Sequence, residues 1–133
     1  MKLKNILTFF ALGLIFIACD DTNTLESVDN TTIPDSNVSF GEHIYPVLQV
    51  KCAYSGCHTG SNPAGEIDLS SYAGVTADID IVRPGDAANS RLVWAITGVS
   101  GVNEMPPTST GLVLTDNQIQ GIKTWINEGA ENN

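Results

Sequence analysis

The segment Cys52-Ala53-Tyr54-Ser55-Gly56-Cys57-His58 constrains this sequence more than any other, because two thiols with four residues between them, followed directly by an imidazole, need a shared fate. Free thiols so close together are a liability in an oxidising compartment, and the start of the chain points to one. Lys2 and Lys4 precede an apolar run from Ile6 to Ile17, too short to span a bilayer as a mature helix and suited to the core of a signal peptide. The run ends in Phe16-Ile17-Ala18-Cys19, which looks like a bacterial lipobox: a small residue before a cysteine that is acylated and becomes the new N-terminus. Residues 1–18 are therefore expected to form a lipoprotein signal peptide, with Cys19 lipidated. The expected location is the bacterial cell envelope, with the protein membrane-anchored on the periplasmic face or the cell surface. Of the three cysteines, one becomes an anchor and two remain as the close pair.

Charge narrows the partners. The full chain carries a formal charge of −9, and removing the signal segment leaves four Lys/Arg against fifteen Asp/Glu, or −11. Such a surface repels phosphate backbones and anionic headgroups, which argues against nucleic-acid binding and for membrane attachment through acyl chains alone. An acidic face could also steer a basic partner. The triplets at Asn30 and Asn37 match the N-glycosylation pattern, which a bacterial-type lipobox makes irrelevant.

The chain is long enough for one domain. Residues 19–38, rich in Asp, Asn, Thr and Ser, read as a flexible tether, and residues 39–131 as the folded unit. Ser39-Phe40-Gly41-Glu42 predicts a capping box in which Glu42 reaches back to the cap, opening a helix that runs into Cys52 with Ile44, Val47, Leu48 and Val50 on its buried side. Pro46 is expected to distort its first turns. A short helix is expected within Leu69–Val75, an extended piece over Ile79–Val82, a turn at Pro84-Gly85-Asp86, and a helix from about Ala88 to Thr97 that Gly98 stops. Residues 99–114 read as an irregular loop. Thr115-Asp116-Asn117-Gln118 repeats the capping pattern and opens a last helix, with Ile119, Ile122, Trp125 and Ile126 on one face and Gly129 closing it.

Four fates are open to the cysteine pair. A Cys52–Cys57 disulfide would make the chain a stapled surface lipoprotein that binds a partner or ligand. A zinc site would need both cysteines, His58 and His43, although adjacent Cys57 and His58 reach tetrahedral positions with difficulty. Redox-active dithiols usually have two intervening residues, not four. The fourth is covalent haem: two thiols add to the two vinyl groups and the adjacent imidazole binds the iron. The usual spacing there is also two residues, so the four-residue spacer is a departure that Gly56 could help fold back. Met105, the only methionine left after signal removal, stands before Pro106-Pro107, which stiffen the backbone around a thioether. It is a candidate sixth ligand, with His43 the runner-up. Trp94 and Trp125 read as packing residues, and Asp78 and Asp80 as solvated carboxylates.

From about Phe40 to Ala130 the sequence resembles the planctomycete-type cytochrome c domain. The resemblance is carried by His43-Ile44-Tyr45-Pro46-Val47-Leu48, the Cys…Cys-His segment, Leu69-Ser70-Ser71-Tyr72, Pro84-Gly85-Asp86 with Ser90, Met105-Pro106-Pro107, and Ile119…Trp125-Ile126…Gly129-Ala130. It implies an all-α, cytochrome c-like fold with first and last helices packed together, and one haem c held through Cys52 and Cys57. The iron ligands it implies are His58 and Met105. It also implies electron transfer with redox protein partners and no chemistry on a substrate.

Overall fold

The computed structural model describes residues 23–99 and 101–133. Residues 1–18 and Cys19, read as signal peptide and lipidation site, lie outside them. The described chain is all-α, and it contains no strand. Five α-helices follow one another: α1 (Leu25–Asn30), α2 (Tyr45–Lys51), α3 (Tyr72–Val75), α4 (Arg91–Ile96) and α5 (Asp116–Asn127). None is long and apolar enough to cross a membrane.

The entry to α2 shows how local chemistry shapes an element. Ser39 caps the helix, its hydroxyl accepting from the Glu42 N–H at 3.1 Å. The reciprocal bond comes from His43 instead of Glu42: the Ser39 N–H donates to His43 Nδ1 at 2.9 Å. Pro46 has no N–H to give, and the chain responds with a wide π-helical turn over Phe40–Ile44 in which Tyr45 N–H reaches Phe40 O, before α2 proper begins.

α5 forms as its pattern predicts. Thr115 and Gln118 make a complete capping box, and Ile122, Trp125 and Ile126 are buried with Ile119 at the edge of the core. Gly129 takes φ 108°, the left-handed backbone that ends a helix at little cost for glycine. The turn that leads into α2 packs on α5: Phe40 lies against Trp125 with ring centroids 5.3 Å apart and meets Tyr72 edge-on at 5.2 Å.

Three expectations are corrected. Residues 23–38 are not a free tether, since Thr24 caps α1, and Val28, Ile33 and Val38 are buried in the core. Asn117 brackets Ile33 through its N–H (2.8 Å) and its carbonyl (3.0 Å), and Glu128 accepts from the N–H groups of Asn37 and Val38. Three apolar residues five positions apart show no helical or strand period, so composition hides a segment that docks at separate points. Ile79–Val82 is a hydrogen-bonded turn and not an extended piece: the Asp78 carbonyl accepts from Ile81 and Val82 while its carboxylate accepts from Asp80 N–H. The helix expected over 88–97 is split at Ser90, whose extended backbone separates a single 3₁₀ turn (Ala87–Asn89) from α4. Ser90 is fully buried, bonding Asp86 O and accepting from Arg83 N–H.

Candidate functional site

α2 delivers Cys52. Its N–H closes the last turn onto Leu48 O at 2.9 Å, and the residue is buried, 7% exposed. Burial pushes its thiol up to about 12, against the pull of the neighbouring Lys51 ammonium, so in the folded chain it stays protonated. The four-residue spacer then folds back on itself. Cys57 N–H bonds Tyr54 O at 2.9 Å across a turn in which Gly56 takes φ 86°, and His58 N–H bonds Cys52 O at 3.1 Å. The departure in spacing is thus absorbed by a closed loop whose ends meet. Cys57 is half-buried, and neither cysteine is bridged.

His58 is fixed from three sides. Its carbonyl accepts from Leu69 N–H at 2.8 Å, the preceding Cys57 carbonyl accepts from Ala64 N–H at 2.8 Å, and its Nδ1 lies 3.1 Å from Ile67 O. A carbonyl can only accept, so the neutral ring carries its proton on Nδ1 and leaves the Nε2 lone pair for a metal. An imidazole anchored in this way is oriented as a ligand.

Met105 arrives from elsewhere. It is half-buried in the loop after α4, and its N–H bonds Ala95 O of that helix at 3.0 Å. The candidate donors therefore lie on two structures: Cys52, Cys57 and His58 on one loop, and Met105 on a second, hung from α4.

His43, the runner-up ligand, is engaged elsewhere. Its Nδ1 serves the α2 cap, and it borders a cavity of about 130 Å³ between α1 and α2. Among the described residues no group of three or more His, Cys, Asp or Glu is set to hold a metal ion, so the four-ligand zinc arrangement is not assembled. A larger cavity of about 430 Å³ is lined by Asp80, Arg83, Asp86, Asn89, Arg91 and Trp94, and is largely self-paired: Arg83 bonds Asp80 and Asn89 bonds Asp86. Trp94 donates to Ala88 O, and Trp125 sits in the core, both as packing residues.

Sequence reasoning missed Lys51. Its side chain is wholly buried, and its ammonium donates to Asp29, to Val113 O and to Gln118 Oε1 (2.9 Å). Gln118 is itself buried and donates to Val28 O and Asp29. The signal was present in the spacing, since Ile44, Val47, Leu48 and Lys51 fall on one helix face and Val50 lies beside it.

The donor set suits a covalent haem: two unbridged thiols, an imidazole with its far nitrogen free, and a thioether. Residues 55–109 match the family model described as planctomycete cytochrome C. This segment is similar to that family. The planctomycete cytochrome c match contains Cys57, His58 and Met105; Cys52 lies three residues before it, and α1, α2 and α5 fall outside. The family is one of c-type cytochromes, whose cofactor is haem c. No curated protein and no solved structure matches the chain.

Proposed function

We propose that this protein is an electron-transfer lipoprotein with one covalent haem, attached through Cys52 and Cys57, with His58 as proximal and Met105 as distal iron ligand and Cys19 as the lipid anchor. The observation that carries the reading is the anchored imidazole. His58 directly follows a thiol, its Nδ1 is bonded to Ile67 O, and its free nitrogen is the one a metal would take. The bound haem would supply one-electron iron redox chemistry. The chain's own residues hold and orient it: the Cys52–His58 loop fixes the attachment side, Ile67 O sets the imidazole tautomer, and the Ala95–Met105 bond seats the thioether's backbone. If His58 and Met105 both bound the iron, no coordination position would be left open for a substrate, so the reading is of a redox carrier between protein partners and not of an enzyme.

The test is a pyridine haemochrome spectrum on protein expressed with a c-type maturation system, after acid-acetone extraction has removed non-covalent haem. The expected result is a retained reduced α-band typical of thioether-linked haem, lost in the Cys52→Ala/Cys57→Ala double variant. A colourless protein, when a control cytochrome matures normally, would overturn the reading and leave a disulfide-stapled envelope lipoprotein that binds a partner or ligand.

A further inference from the structure

Lys51 occupies a place that its burial alone makes unusual. A fully buried ammonium is costly unless its donors are matched, and here each of the three donors meets an acceptor on a different part of the fold. Asp29 belongs to α1, Gln118 to α5, and Val113 O to the loop that carries Met105. Lys51 itself is the last residue of α2, directly before Cys52.

The Val113 contact matters because of what holds that loop. Between Met105 and Leu114 the only helical geometry is one 3₁₀ turn, Thr108–Thr110, and the only buried side chain is Leu114. Val113 itself is 74% exposed, so its side chain does nothing to fix its backbone. The hydrogen bonds of Thr110, Gly111 and Leu112 are local to the loop. Two bonds tie this segment to the rest of the domain near Met105 and at its far end: Met105 N–H to Ala95 O, and Lys51 Nζ to Val113 O.

We infer that Lys51 is the positioning residue for the distal ligand, clamping the Met105 loop to the residue adjacent to the first thioether cysteine. The inference rests on the haem reading above. Freed from Lys51, the loop keeps its Ala95 attachment but gains freedom downstream of Met105, and the thioether spends part of its time off the iron. An external ligand then competes more easily, and the reduced iron loses the stabilisation that thioether ligation provides.

The experiment compares haem-loaded wild type, Lys51→Met, Lys51→Arg, Asp29→Asn and Met105→Gln. The readouts are the far-red charge-transfer absorption of thioether-bound ferric haem, the affinity for imidazole, the reduction potential, and the melting temperature. Lys51→Met is expected to weaken the band, bind imidazole about tenfold more tightly and lower the potential. Asp29→Asn keeps the Val113 bond and is expected to lower the melting temperature while leaving band and imidazole affinity at wild-type values. Lys51→Met with wild-type band, affinity and potential overturns the inference. Should Lys51→Met fail to fold, Lys51→Arg decides: its fork keeps the charge but changes the reach to Val113 O, and imidazole affinity equal to that of wild type overturns the inference. A wild-type protein without thioether-linked haem overturns the haem reading and this inference with it, whereas a band that survives in Met105→Gln leaves the haem reading standing and overturns Met105 as distal ligand, and this inference with that.

Discussion

The junction of the Phe40–Lys51 segment with α5 and the two loops that carry the candidate donors are ordered by different means. At the junction Ile44, Leu48, Ile122 and Ile126 are 0% exposed, and Phe40, Tyr72 and Trp125 interlock as aromatic rings. Order there comes from apolar area removed from water, which names its residues. In the loops, Cys57, His58 and Met105 are all half-buried, and what places them is a set of carbonyls: those of Tyr54, Cys52, Ile67 and Ala95. Any residue supplies a carbonyl. The core is therefore written in side chains and the site in backbone, and substitutions should damage the two through separate routes.

The largest expected effect lies at the junction. Trp125→Ala should cost about 3–5 kcal/mol, read as a collapse of the denaturant midpoint, because the indole fills the space between Phe40 and the chain's end and donates to Glu131 O. A loss below about 1 kcal/mol would break the comparison by showing that packing there is dispensable. Gly121→Ala comes next, at about 1–3 kcal/mol. An added Cβ would stand 2.6 Å from Ile33 Cγ2, so the methyl must push the docked N-terminal segment off α5. Faster proteolysis within residues 23–38 in this variant would locate the damage.

On the loop side, Gly56→Ala should cost about 1–2 kcal/mol, from left-handed backbone alone, because nothing lies within 4 Å of the new Cβ. The junction should be untouched, so near-ultraviolet circular dichroism of the aromatics is expected to remain at wild type while haem incorporation falls. The smallest effect concerns acid. The hydrogen bond from the Lys51 ammonium holds the Asp29 carboxyl below its usual 3.8. A group depressed on folding contributes stability that is complete above its unfolded value and lost as pH falls through the folded one. Melting temperature between pH 5 and pH 2 should therefore fall less steeply in Asp29→Asn than in wild type. With 38% of the Asp29 side chain exposed, the difference should be modest.

Much of this division could be foreseen from the residues, and the failures follow from it. The caps at Ser39 and Thr115, the buried face of α5 and the stops at Gly98 and Gly129 were legible, because each is a local pattern, while the candidate donors Cys52, Cys57, His58 and Met105 were singled out by their chemistry alone. The anchoring of His58 by Ile67 was not, since a carbonyl nine residues away has no sequence signature. Docking of residues 23–38 escaped because it uses isolated apolar contacts and bonds from Asn117 and Glu128, more than 80 positions away. Lys51 was overlooked because lysine is assigned to water by default, although its helical register pointed inward.

The docked N-terminal segment has a practical consequence for anyone preparing the folded domain on its own. A chain cut at Ser39, where the composition suggests the fold begins, would discard Val28, Ile33 and Val38 together with the carboxylate that faces Lys51. It would expose three apolar sockets and leave a closed-in ammonium without its counter-ion. A preparation of the folded domain has to retain the residues from Asn23 onward.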